Sequence, residues 1–97
     1  MDILEWIQNW YQSHCDGDWE HSGGILIGTI DNPGWRVIID LKDTELENLH
    51  LDYALNEKSA NDWYAIKIEN NKFEGHCDPT KLKFLLNKFK EIVEKND

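Results

Sequence analysis

"GILIGTIDNPGWRVIIDL", residues 24–41, is the stretch that decides the fold. Its apolar residues fall into two short runs rich in Ile and Val, 24–30 and 35–41, on either side of Asp31-Asn32-Pro33-Gly34. Branched side chains in short runs suit a pleated, half-buried surface better than a helix. Pro33 presets φ at the first central turn position, and Gly34 can supply a positive φ at the second. The spacing therefore predicts a type II turn within a hairpin or tight β-connection.

Upstream the period changes. Ile3, Leu4, Ile7, Trp10 and Tyr11 recur at the three-four spacing of one helical face, with Trp6 at its edge and Asp2 placed to cap, so residues 2–14 read as a helix. Glycines 17, 23 and 24 end that pattern and bracket an irregular segment. Downstream, "NLHLDYAL" (48–55) alternates Leu49, Leu51, Tyr53 and Leu55 against His50, Asp52 and Ala54, the pattern of a half-buried strand. "WYAIKIE" (63–69) alternates in the same way, with Trp63 expected in the core, Asn70-Asn71 can turn the chain at positive φ, and "KFEGH" follows as a last strand.

Asp78-Pro79 announces a closing helix, a capping side chain ahead of a proline at the first helical position. Leu82, Leu85, Leu86, Phe89, Ile92 and Val93 form its apolar face, and Lys88, Lys90 and Lys95 sit in its latter half, where the helix dipole favours cations. The expectation is an α+β fold: a four- to five-stranded antiparallel sheet with an N-terminal and a C-terminal helix packed on one face. With 97 residues, the chain reads as a single domain, residues 1–97.

The formal net charge of −9 is unevenly spread. Residues 1–57 carry twelve carboxylates against Arg36 and Lys42, whereas residues 58–97 carry seven against eight lysines. Such a surface is a poor match for nucleic acid, since phosphate binding needs clustered Lys and Arg. It suits a basic protein partner, because complementary fields speed encounter and select partners. No apolar run approaches the about eighteen residues of a membrane span, and the acidic N-terminus lacks the basic region of a secretory signal. The chain reads as an uncleaved cytoplasmic protein whose Cys15 and Cys77 are free thiols.

The densest chemistry lies in "SHCDGDWEHSGG", residues 13–24. His14 and Cys15, echoed by His76 and Cys77, invite a zinc reading, but adjacent ligands point to opposite faces when extended, and zinc knuckles space theirs by about two to four residues. A calcium loop fails as well, with Ile27 where the twelfth-position Glu belongs. No metal and no cofactor is expected. Cys15 with His14 or His21, and Asp18 with Glu20, could form nucleophile and acid–base pairs, yet no nucleophile elbow, phosphate loop or zinc-protease motif accompanies them. If residues 16–20 run extended, Asp16, Asp18 and Glu20 project to one side, and Trp19 and His21 to the other. Trp19 suits either a core anchor or an interface contact.

These residues also carry a resemblance. Residues 6–41, with "WIQNWY", "CDGDWEH" and then "DNPGW" ten residues on, together with "DW" at 62–63 and "DP" at 78–79, resemble the immunity protein 53 family of bacterial polymorphic toxin systems. The resemblance implies a non-enzymatic inhibitor that binds the C-terminal domain of a cognate toxin. A basic nuclease is the kind of toxin an acidic face suits, because carboxylates can mimic phosphates in its cleft. Asp16, Asp18, Trp19, Glu20 and His21 are the expected partner-binding residues, followed by Asp43, Glu45 and Glu47. Two other readings stay open: a metal-binding or enzymatic domain built on the cluster at 14–21, and a generic acidic adaptor.

Overall fold

The computed structural model describes residues 1–96. Helix α1 (Ile3–His14) and the single turn α2 (Trp19–Ser22) precede strands β1 (Ile25–Ile30) and β2 (Gly34–Asp40). Strands β3 (Leu51–Ser59), β4 (Asp62–Glu69) and β5 (Lys72–Cys77) follow, and helix α3 (Leu82–Lys95) closes the fold. The five strands form one sheet in the order β1-β2-β5-β4-β3, every neighbouring pair antiparallel. This is the expected α+β architecture.

Both long helices lie on one face. Val37, Ile39, Phe73 and Ile68 are fully buried beneath them, and Phe89 of α3 stacks edge-on against Phe73 of β5 and Trp10 of α1, at centroid distances of 5.1 and 5.0 Å. Leu85 packs directly over Gly75, so close that a Cβ there would meet its side chain at 2.8 Å. Only a narrow stripe of α1 is covered. Ile3, Ile7 and Trp10 are buried and Trp6 reaches Phe89, whereas Leu4 and Tyr11, expected on the same face, are 64% and 37% exposed. On α3 the apolar positions behave as the spacing predicts: Leu85, Leu86, Phe89 and Val93 are buried, Leu82 and Ile92 partly so.

Two turns show how local sterics act. Asn70 and Asn71 both take positive φ, 54° and 60°, and join β4 to β5 through the closing pair Glu69–Lys72, as expected of two asparagines. The DNPG turn is made differently. Gly34 is already in β2, paired with Ile30, and its φ is not positive; residues 31–33 make the turn. Glycine is needed there because a Cβ would collide with the backbone carbonyl oxygen of Cys77 on the neighbouring strand.

Three further expectations are corrected. α3 begins at Leu82, not at Pro79, and Asp78 does not cap it. Asp78 is instead fully buried and accepts hydrogen bonds from the Trp63 and Thr80 amides, the Thr80 hydroxyl and Lys81 Nζ, at 2.7–2.9 Å. Lys81 also reaches Asp62 at 2.6 Å. Trp63 is half-buried, and because its neighbour Tyr64 packs on Phe84 of α3, it points to the helix-free face. Strand β3 starts at Leu51 and is exposed along all nine residues, not half-buried. It is an edge strand, with register shifts against β4 between Leu51 and Ala54 and between Glu57 and Ser59.

Candidate recognition surface

Residues 15–23 are a compact turn rather than an extended segment. Asp16 Oδ1 accepts from the amides of Asp18 and Trp19 at 2.9 and 3.0 Å. Glu20 returns the gesture, its two carboxylate oxygens accepting from the Asp16 and Gly17 amides at 3.0 and 2.8 Å. The reciprocal arrangement resembles a capping box and explains why acids occur at these two positions. Gly17 sits at φ 98°, which L side chains rarely adopt, so the turn needs a glycine. The Trp19 and Asp18 amides hold the Asp16 carboxyl below its ordinary range. Glu20 is lowered too, by its own amide first and, against desolvation, by those of Asp16 and Gly17.

Trp19 is a core residue. It is 3% exposed, its indole Nε1 donates to the Asp40 carbonyl at 3.1 Å, and its ring lies 5.7 Å from that of Trp10 and 5.5 Å from that of Tyr11. Of the two roles open to it, the structure places it in the interior, beneath the turn that the acids decorate.

The second acidic segment follows directly on β2. Between β2 and β3 the chain must pass both β5 and β4, and residues 41–50 do so across the end of the sheet. The Leu41 amide donates to the Asn71 carbonyl, the Asn48 amide to Asn71 Oδ1, and Leu41 and Leu46 are buried as anchors. This crossing carries Glu45 to α1. Trp10 Nε1 donates to Glu45 Oε1 at 2.7 Å, and His14 Nε2 lies 2.7 Å from Oε2. Burial raises the Glu45 carboxyl, but hydrogen bonds from Trp10, its own amide and His14 together outweigh it, and the group ends below its ordinary range.

Glu45 therefore lies at the end of α1 against His14, two residues ahead of Asp16 in the chain. Asp18, His21, Asp43 and Glu47 are exposed, and Asp16 and Glu20 are accessible while bonded to backbone. Glu47 accepts from the Asp43 amide at 3.0 Å. The carboxylates of Asp18 and Asp43 join no hydrogen bond or ion pair among the described residues and are free to meet a partner. Lys42 is the single lysine within the two segments 15–22 and 42–47.

His14 and the two thiols of the catalytic and metal readings have other surroundings. Cys15 Sγ donates to the Tyr11 carbonyl at 3.3 Å, His14 is engaged by Glu45 and the Trp10 carbonyl, and Cys77 is buried in the sheet. Among the described residues no three His, Cys, Asp or Glu side chains gather as metal ligands would. Among them, too, no helix is long and apolar enough to cross a membrane.

Two participants were not legible beforehand. His14, read for metal or catalysis, is the residue that clasps Glu45. Asp40 is 5% exposed and accepts from Ser22 Oγ and the Lys42 amide at 3.2 and 3.1 Å, tying α2 to the start of the crossing segment. The only sequence signal for Asp40 is an acid ending an apolar strand.

No curated protein and no solved structure matches the chain. A family model described as immunity protein 53 matches residues 4–94, which takes in all but one end residue of α1 and of α3, the whole sheet and both acidic segments. The chain belongs to the immunity protein 53 family.

Proposed function

We propose that this protein binds the C-terminal domain of a cognate toxin and neutralises it, using the acidic surface at the end of α1 to cover a basic cleft such as that of a nuclease. Family membership supports the toxin as partner and a role as inhibitor rather than enzyme. The observation that supports this surface is the clasp of Glu45 by Trp10 and His14, which ties the segment 43–47 to the end of α1 from which residues 16–20 continue. Preorganised carboxylates of one sign accelerate encounter with a basic partner, and the rigid aromatic bed under them limits the entropy lost on docking.

Asp18 and Asp43 test this most cleanly, because neither carboxylate holds the fold together. Replacing both with Asn removes charge while keeping shape, and Asn tolerates the positive φ of Asp43, 62°. The double variant should melt like the wild type and bind the toxin about tenfold or more weakly, with part of the loss in association rate. The wild-type association rate should fall as salt rises, as screening demands. Unchanged affinity and an unchanged salt dependence in the folded variant would move the interface elsewhere.

A further inference from the structure

Strand β3 is an open edge of the kind that monomers usually protect. None of its nine residues is buried, and Leu51, Tyr53 and Leu55 are 41%, 63% and 52% exposed. β4 occupies one of its sides, and among the described residues no strand occupies the other. The opposite edge, β1, is open as well, but "ILIGTI" carries no charge that could select a pairing register. β3 does carry such charges.

We propose that β3 pairs antiparallel with β3 of a second copy of this chain, about a two-fold axis through Leu55, joining two sheets into one of ten strands. A two-fold axis perpendicular to the sheet requires facing residues to lie on the same face, so a residue must sit on the axis. With Leu55 there, Ala54 faces Asn56 of the second copy, Tyr53 faces Glu57, Asp52 faces Lys58 and Leu51 faces Ser59. Symmetry repeats each pair, so Asp52 meets Lys58 twice and no like charges are opposed. An axis on Ala54 sets Leu51 against Glu57, and one on Asn56 sets Leu55 against Glu57; neither joins Asp52 to Lys58.

The register shifts of β3 against β4 fall outside the regular stretch Ala54–Glu57, which contains Leu55. The exposed apolar side chains then cover one another: Leu55 packs on its own copy, flanked by Tyr53 on both sides. Asp52, which lies 2.7 Å from His50 Nε2, is otherwise solvent-exposed and available to the second copy.

The test is sedimentation equilibrium of the full chain from about 10 µM to 1 mM, the range that captures a weak symmetric dimer. The wild type should move from 11.4 kDa towards twice that mass as concentration rises. Leu55→Lys sets two ammonium groups against each other on the axis and should stay monomeric throughout. Asp52→Lys opposes Lys58 of the second copy and should raise the dimer Kd about tenfold, whereas Asp52→Lys combined with Lys58→Asp should restore it. All three positions are exposed, so melting curves recorded below the dimer Kd should coincide. A wild type that is monomeric at the highest concentration overturns the proposal. So does a Kd indifferent to Leu55→Lys, or a charge swap that fails to rescue. Toxin binding at the acidic surface does not enter this measurement.

Discussion

Glu45 and Trp10, 35 positions apart, are joined by a 2.7 Å hydrogen bond from the indole Nε1 to the carboxylate. That bond holds the segment crossing the end of the sheet onto α1. Glu45→Ala leaves a 7%-exposed indole without its acceptor and should cost about 1.5–3 kcal/mol, the range for hydrogen bonds to charged groups. Urea denaturation checks it. Toxin affinity should fall more than in a variant of equal stability altered at the other end of the sheet, because residues 43–47 lose their position.

Acid should unfold the protein early. Burial works against the Asp78 carboxylate, but hydrogen bonds from Lys81, Thr80 and the Trp63 amide hold its pKa far below the ordinary range, and Glu45, Asp16 and Glu20 are lowered as well. In the unfolded chain these carboxyls bind protons more readily than in the folded one, so their stabilisation is complete above about pH 5 and is lost as pH falls through the carboxylate range. Asp78→Ala leaves the Trp63 and Thr80 amides and the Thr80 hydroxyl without their acceptor and Lys81 with Asp62 alone, and should cost about 3 kcal/mol at neutral pH. Its stability should also fall less steeply between about pH 5 and 3 than that of the wild type. An equally steep fall would place the acid sensitivity in other carboxyls.

The two cysteines should react in separate steps. Cys77 is fully buried, and burial followed by the charge of Asp78 pushes its thiol up to about 11, while Cys15 is exposed. An aromatic disulfide reagent at neutral pH should titrate one thiol promptly in the native protein and the second only in denaturant, since the thiolate is the reactive form. Prompt reaction of both would show the β5 end of the sheet to be open.

Trp19→Ala should cost about 3–5 kcal/mol, as deletion of a large buried aromatic does, and also frees the Asp40 carbonyl. An unshifted denaturation midpoint would return Trp19 to the surface.

Gly34→Ala tests the other reading of the DNPG turn. A Cβ at position 34 meets the Cys77 carbonyl, so the variant should lose about 1–3 kcal/mol through overpacking, even though its φ is open to any residue. Retained stability would mean that β2 and β5 can move apart there.

Much of the architecture was written in local patterns. Helices α1 and α3, the β1–β2 pair and the Asn70-Asn71 turn follow from periodicity and from the φ preferences of single residues, which depend on neighbours a few positions away. The chemistry of "CDGDWEH" was misread in shape for the complementary reason: Asp16 and Glu20 bind backbone amides within their own turn, and residue types alone do not distinguish a capping carboxylate from a free one.

By itself, then, the sequence determined the element types, the α+β class, the family and the concentration of negative charge in residues 1–57. Tertiary structure decided which elements became neighbours. Leu51, Tyr53 and Leu55 alternate like a half-buried strand, yet the order β1-β2-β5-β4-β3 puts them on an edge, where a period of two cannot reveal whether anything covers either face. Asp78 was spelled as a helix cap and became a buried tie, because its partner Trp63 comes from β4, fifteen positions earlier. Glu45 reached His14 only because residues 41–50 had to cross two strands. Burial and long-range pairing are properties of strand order, and strand order is settled by the whole core at once, not by any one stretch of chain.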